Sequence, residues 1–208
     1  NRGQSQVRLF EIASVYKKNK LEFEEKKIIS GLVYGAHTQE QWSEKKRQVN
    51  YFDIKGDLEG ISVNSFDFRV PENDIPKALH PGQTAELFQN KISVGWLGRI
   101  HPAWQQHFEL TGSTYLFEFT LEALKHKKIK EINIPSKFNP TRKDIAVIID
   151  KDISVGDLVR AIKHEAIPRL VDFYPFDLYE GEGVKEGKKS VAFLILMQDT
   201  YKTLEDQD

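Results

Sequence analysis

Cysteine is absent from the 208 residues, so neither a disulfide nor a thiolate metal site can contribute, which suits a reducing compartment. No stretch approaches the roughly 18 consecutive apolar residues of a membrane-spanning helix. The polar opening Asn1-Arg2-Gly3-Gln4-Ser5 has none of the pattern of a signal peptide. These absences imply a soluble, cytoplasmic protein without a membrane partner. Charge of one sign is lacking too: 30 Lys and Arg stand against 31 Asp and Glu, a net charge of −1. That balance excludes the overall basic excess of a freestanding nucleic-acid binder, so any RNA contact must be local. Apart from the echo of His80-Pro81 in His101-Pro102 there is no internal repeat, which excludes a solenoid.

Common catalytic patterns are missing as well. Ser30-Gly31 and Ser154 lack the Gly-x-Ser-x-Gly elbow and a placed histidine. His80 and His101 have no cysteine or carboxylate at ligand spacing, so a turn role outweighs a zinc site, and Pro81-Gly82 reads as a tight turn. Asp53, Asp57 and Glu59 have Lys55 among them on a helical segment, and read as a solvated face rather than a magnesium site.

What is present is an ordinary globular composition, 39% hydrophobic and 29% charged, in a chain long enough for two cores. Val7 to Tyr16 and Ile28 to Gly35 read as strands, with Lys17 to Lys20 as the turn between them. Ile54, Leu58 and Ile61 share one helical face over Asp53 to Ile61, where Gly56 suggests close packing. Phe66 to Val70 is extended. Thr84 to Phe88 and Ile92 to Ile100 form a hairpin through Gln89-Asn90-Lys91. Pro102 opens a helix that buries Trp104, Phe108 and Leu110, and Tyr115 to Leu121 returns as a strand. The first module is thus α+β with a mainly antiparallel sheet.

Lys125, Lys127, Lys128, Lys130, Lys137, Arg142 and Lys143 then stand against Glu131 alone. Read by itself the run is a solvated linker face, and its place between two modules leaves local RNA contact as a second reading. Beyond it, Ile145 to Ile149 is apolar at every position, the pattern of a strand covered on both faces. Ser154 and Asp157 approximate a capping box for a helix with Val155, Leu158, Val159 and Ile162 inward and Arg160 and Lys163 outward. Leu170 to Tyr179 is a strand that Pro175 marks as bulged or at an edge, and Val191 to Met197 pairs back after the glycine-rich turn 181–187. Most of Phe173, Tyr174, Phe176 and Tyr179 are expected in the core, with one or two free to stack on an unpaired base. Lys189 to Leu196 has only part of the RNA-recognition-motif signature. The order strand, helix, strand, strand is an incomplete split βαβ pattern, one helix and one strand short of a ferredoxin-like module. If the usual strand order holds, the strand from Lys143 to Asp150 is left as an edge.

Ordered motifs carry a resemblance over nearly the whole chain. Val7-Arg8-Leu9-Phe10-Glu11-Ile12, Tyr51-Phe52-Asp53-Ile54-Lys55-Gly56-Asp57, Leu79-His80-Pro81-Gly82-Gln83 and Leu97-Gly98-Arg99-Ile100-His101-Pro102 follow one another. Ser136-Lys137-Phe138-Asn139-Pro140-Thr141-Arg142-Lys143-Asp144-Ile145-Ala146, Phe176 to Gly181, Lys188-Lys189-Ser190 and Thr203-Leu204 continue the series. Together they resemble the C-terminal part of the beta subunit of phenylalanyl-tRNA synthetase, with the proline of the Ser136 segment one place later than usual.

The resemblance implies a catalytically silent class II synthetase-like domain at 1–125, a basic linker at 126–135, and a ferredoxin-fold anticodon-binding domain at 136–208 lacking its last helix and strand. It also implies an α2β2 ligase whose alpha subunit is the partner and holds ATP and magnesium, no cofactor in this region, and tRNA(Phe) as the RNA bound. A class II site needs an arginine in a Gly-x-Gly-x-x-Arg segment; the nearest approach is Gly95-Trp96-Leu97-Gly98-Arg99, whose large residues suit a buried strand. Lys137, Arg142 and Lys143, with Arg160, Lys188 and Lys189, become the candidates for tRNA backbone contact, and a strong salt dependence is expected of them. The alternative from a different class is a small-molecule-sensing ferredoxin-like domain on an inactive enzyme-like scaffold. Its ligand turn favours glycine, and Asp150-Lys151-Asp152-Ile153 has none.

Overall fold

The computed structural model describes residues 3–19, 22–62, 66–72, 75–125, 136–165, 167–199 and 201. They fall into two compact units, 1–130 and 131–208. The basic segment 126–135 and the Thr203 to Asp206 motif lie outside the described residues. No helix among the described residues is long and apolar enough to cross a membrane.

The first unit contains strands β1 (Gln6–Asn19), β2 (Glu22–Gly35), β3 (Asp67–Arg69), β4 (Leu79–Gln89), β5 (Ile92–Ile100) and β6 (Thr114–Thr120). Helices α1 (Tyr51–Ile61) and α2 (Pro102–His107) and a 3-10 turn, Leu121–Leu124, complete it. The sheet order is β1-β2-β6-β5-β4-β3, antiparallel throughout. Ile29, Val33, Leu87, Leu97, Tyr115 and Phe119 form one buried face, and Ile54 and Leu58 of α1 close it. Register across the middle depends on glycine: a Cβ on Gly31 would stand 2.2 Å from Phe117 Cζ, so the Phe117 ring lies directly over that position.

Several expectations change. The first hairpin does not turn at Lys17: pairing runs on through Lys17↔Glu24 to Asn19↔Glu22, because opposite charges face each other across the two strands. Gly56 packs against nothing, since a Cβ there would meet open space. Pro81-Gly82 is not a free tight turn but sits inside β4, where the register with β5 shifts between Leu79 and Thr84. Trp104 and Phe108 are exposed and stack on each other, because α2 has only six residues and no buried side. His101 is a cap: its Nδ1 accepts from the Ala103 N–H at 3.1 Å.

Helix α1 starts at Tyr51, two residues ahead of the periodic signal, because Asn50 and Asp53 form a reciprocal capping box. Asn50 Oδ1 accepts from the Phe52 and Asp53 amides at 2.9 and 3.2 Å, and Asp53 Oδ2 accepts from the Asn50 amide at 2.8 Å. Arg47 grips the same carboxylate with two N–H groups at 2.7 and 2.8 Å, and His37 Nδ1 lies 3.2 Å from it.

The second unit runs β7 (Thr141–Asp150), α3 (Val155–His164), β8 (Leu170–Tyr179) and β9 (Lys188–Met197), with sheet order β7-β9-β8. Phe173, Val191 and Phe193 are its buried centre, and Val155, Leu158, Val159 and Ile162 of α3 pack on them. Phe173 and Phe193 stack at 4.7 Å. Pro175 falls at a register shift on an edge strand, which accommodates its missing N–H. Ile145 to Ile149 is not covered on both faces. β7 is a sheet edge, and Ile145 and Ile148 are exposed. Ser154 occupies the N-cap position without a side-chain cap bond, and Asp157 pairs with Arg160 instead of closing a capping box.

Two stability predictions follow from these local geometries. The hairpin turn holds Asn90 at φ 52° and Lys91 at φ 67°, the two left-handed positions of a type I′ turn, where glycine replaces lysine with less strain. Lys91→Gly raises stability by about 0.5 to 1 kcal/mol in urea unfolding. Asp53 is held at about 2, below its ordinary 3.8, first by the Arg47 hydrogen bonds and then by the Asn50 amide, His37 and the Arg47 charge, against desolvation. A depressed carboxylate stabilises the fold above its unfolded pKa and stops doing so as pH falls through the folded one. Asp53→Ala therefore costs about 1 to 2 kcal/mol near neutrality, and its unfolding curve converges toward that of the wild type as pH falls from about 4 toward about 2.

Candidate nucleic-acid interface

Strand alternation sorts the second sheet into two faces. Val147 and Ile149 on β7, and Val191, Phe193 and Ile195 on β9, face α3. Arg142, Asp144, Ala146 and Ile148, with their partners Leu196, Leu194, Ala192 and Ser190, lie on the opposite face. The only helix of this unit among the described residues packs on the first face, and the second is free of any element among them.

That free face is aromatic. Of the four rings expected mostly in the core, only Phe173 is there, 2% exposed, while Tyr174, Phe176 and Tyr179 are 43%, 49% and 49% exposed. Tyr174 is paired with Leu194, and Phe176 is the extra residue of the bulge between Pro175 and Asp177. The bulge breaks the period of two, which is why simple alternation does not place Phe176. Leu194, only 6% exposed with no helix above it, forms the apolar floor. Arg142 lies over the Phe176 ring at 5.6 Å, and its guanidinium is held flat by Asp144 through Nε–Oδ1 and Nη2–Oδ2 contacts of 2.8 and 2.9 Å. Asp144 consequently lies below its ordinary pKa and Arg142 above, each because of the hydrogen bonds between them. Tyr179 is anchored at the rim, its hydroxyl donating to the Glu182 carbonyl at 3.1 Å. Two rings and a planar cation over an aliphatic floor are what an unpaired base stacks on.

The six cationic candidates are not gathered into one patch. Lys137 is exposed ahead of β7. Arg142 and Lys188 are on the free face at opposite ends, and Lys188 Nζ is 2.7 Å from Asp150. Lys143 and Lys189 are on the helix face, separated by six positions of ladder, about 20 Å. Lys143 is exposed and already engaged. Lys189 is buried, and its Nζ donates to the Lys151 carbonyl at 2.9 Å, a structural role. Arg160 on α3 pairs with Asp157. Over 131–208 eleven Lys and Arg stand against fifteen Asp and Glu, so the unit carries no general attraction for a polyanion. The free face therefore offers base stacking before it offers charge.

In the first unit, Gly95 to Arg99 lies within β5, hydrogen-bonded to β4 and β6 on its two sides. A Cβ on Gly95 would stand 2.0 Å from the Glu118 carbonyl oxygen, and Leu97 is fully buried. These glycines serve sheet packing and leave no backbone cradle for nucleotide phosphates. No group of three or more histidines or carboxylates among the described residues is placed to hold a metal.

Comparison with known proteins matches residues 1–121 to the model of the phenylalanyl tRNA synthetase beta chain CLM domain and residues 136–208 to that of the ferredoxin-fold anticodon binding domain. The phenylalanine–tRNA ligase beta subunit of Nitrosospira multiformis is 38% identical over 99% of this chain and 26% of its own length. Those of Shewanella oneidensis and Chromobacterium violaceum are 37% and 38% identical over the full chain, which covers 27% and 26% of them. The chain thus spans about a quarter of the length of the curated relatives it matches. A match to an anticodon-binding module does not favour the small-molecule-sensing alternative.

The arrangement of the free face predicts a specific ranking of variants. Tyr174→Ala and Phe176→Ala each weaken binding of an unpaired RNA oligomer by about tenfold. Arg160→Ala and Lys188→Ala change it by less than about twofold, because neighbouring carboxylates already neutralise both charges. Fluorescence anisotropy on the four variants checks the order.

Proposed function

Because the chain belongs to the phenylalanyl-tRNA synthetase beta-chain family, we propose that it is part of the beta subunit of a phenylalanine–tRNA ligase, which uses ATP to join phenylalanine to its tRNA. On this reading the first unit is a catalytically silent class II synthetase-like domain that scaffolds an α2β2 core in the cytoplasm. The second unit binds the anticodon region of tRNA(Phe). ATP and magnesium belong to the alpha subunit, and the ladder-bound Gly95 to Arg99 segment is poorly suited to either.

The observation that carries the RNA-binding part is the sheet face that no helix among the described residues covers, with Tyr174, Phe176 and the Phe176-stacked Arg142. Anticodon bases are unpaired, so their π-faces are accessible, and a base leaving its loop exchanges one stack for another. Arg142, its plane oriented by the bidentate contact with Asp144, offers the side of its guanidinium away from Phe176 to a second base. Lys137, ahead of β7, and Lys143, near its start, are both exposed, which supports a role for them in holding phosphates, contacts that fix the position of the RNA strand without reading it.

Binding of the tRNA(Phe) anticodon stem-loop, measured beside an acceptor-stem minihelix of the same tRNA, tests this reading. The stem-loop binds, the minihelix does not compete, and the double variant Tyr174→Ala/Phe176→Ala loses the interaction. Equal affinity for both RNAs sinks it. The silent-domain part is read separately: the chain alone shows no phenylalanine-dependent exchange between ATP and pyrophosphate, and measurable exchange would contradict it.

A further inference from the structure

Arg99 is the last residue of β5 paired with β6, opposite Tyr115. The residue is half-buried, and its guanidinium, among the described residues, has no hydrogen-bond or ion-pair partner. It opens not onto the glycines of its own strand but onto a cavity of about 530 Å³ beyond the end of the ladder, shared with His80, Gln106, Glu109, Leu110 and Thr111. Arg99 therefore brings to this cavity a guanidinium fork that no carboxylate among the described residues occupies.

The other groups are set to match it. His80 is held at the β4 bulge, where its carbonyl accepts from Thr84 Oγ1 at 2.7 Å and its Nδ1 accepts from the Gly82 N–H at 3.0 Å. An imidazole whose Nδ1 accepts carries its proton on Nε2, so the second nitrogen is a donor. Gln106 on α2 is exposed and adds an amide donor, and the Thr111 hydroxyl shares a hydrogen bond with Tyr34 Oη at 3.3 Å. Arginine, histidine and amide donors thus come from β5, β4 and α2, and donors arriving from three separate elements suit a tetrahedral oxyanion. Glu109 on the same cavity opposes additional negative charge, which disfavours a di- or triphosphate. Leu110 offers an apolar wall for whatever carries the anion.

We propose that this cavity binds a single phosphate group carried on an organic body, with Arg99 as the bidentate fork and His80 Nε2–H and the Gln106 amide as flanking donors. The site is independent of the aromatic face of the second unit, and no feature of the proposed anticodon contact is needed for it.

The test uses the intact 208-residue chain. Inorganic phosphate, AMP and a 5′-phosphorylated RNA trinucleotide are titrated at ionic strength held constant with chloride, while NMR follows the side-chain resonances of His80, Arg99 and Gln106. All three resonances shift in a saturable way, with a dissociation constant of about millimolar order. Arg99→Ala weakens the affinity about tenfold or more without changing the melting temperature. Arg99→Lys, which keeps the charge and stem but loses the fork, weakens it less and carries the test if the alanine variant does not fold. A gain beginning with AMP assigns a mononucleotide and a gain only for the trinucleotide an RNA strand, while equal affinity across the three shows that the organic body contributes nothing and overturns that part of the proposal. Unmoved resonances with every ligand, or affinities unchanged in both variants, overturn the site.

Discussion

Among the described residues of the second unit one ten-residue helix covers one face of a three-stranded sheet, and that limit organises the rest of them. The helix takes the face that bears Val191, Phe193 and Phe173, where stacked rings and aliphatic side chains form a dry core. The opposite face must then be compatible with water while still shielding Leu194. Large amphipathic side chains meet both demands, because tyrosine, phenylalanine beside a cation, and arginine laid flat each cover apolar surface with one side and remain accessible on the other. The same side chains are the ones on which the proposed stacking of unpaired bases rests.

Charge has a supporting role in that account. Arg142, Lys188 and Arg160 are each engaged by a carboxylate, and Lys189 is fixed to a backbone carbonyl. Arg142 acts through its plane as well as its charge, since Asp144 on one edge and Phe176 beneath restrict its orientation. In the first unit, the glycines of β2 and β5 admit Phe117 and the neighbouring backbone so closely that the backbone at these positions serves sheet packing. The capping box at Asn50 and Asp53, reinforced by Arg47, then sets where α1 begins over that sheet.

Much of this was legible in the residues. The apolar run Ile28 to Gly35, the hairpin strand Ile92 to Ile100, the spacing of Ile54 and Leu58, and the α3 stripe of Val155, Leu158, Val159 and Ile162 each mark an element that forms, the first as the end of a strand that begins at Glu22. Pro175 was readable as a bulge because proline cannot donate to a ladder. What stayed hidden depends on neighbours distant in sequence. An apolar run such as Ile145 to Ile149 has the same composition at a sheet edge as at its centre, so exposure of Ile145 and Ile148 could be seen only from the strand order. The cationic candidates rest on the resemblance and on the positive charge at the entry to the second module, and the pairing of Arg142 with Asp144, Lys188 with Asp150 and Arg160 with Asp157 is invisible to either. The strict alternation of Phe173 and Tyr174 was the available sign that one ring points outward; for Phe176 the bulge removed even that.

The central claim is that the second unit holds RNA chiefly by stacking on Tyr174, Phe176 and Arg142 rather than by a field of cations. The salt dependence of anticodon stem-loop binding separates the two most directly, since each phosphate neutralised on single-stranded RNA contributes about −0.7 to the slope of log K against log salt concentration. One or two phosphate contacts give a slope of about −1, and that shallow dependence is the predicted result. A slope near −4, as six phosphate-bound cations require, would contradict the account.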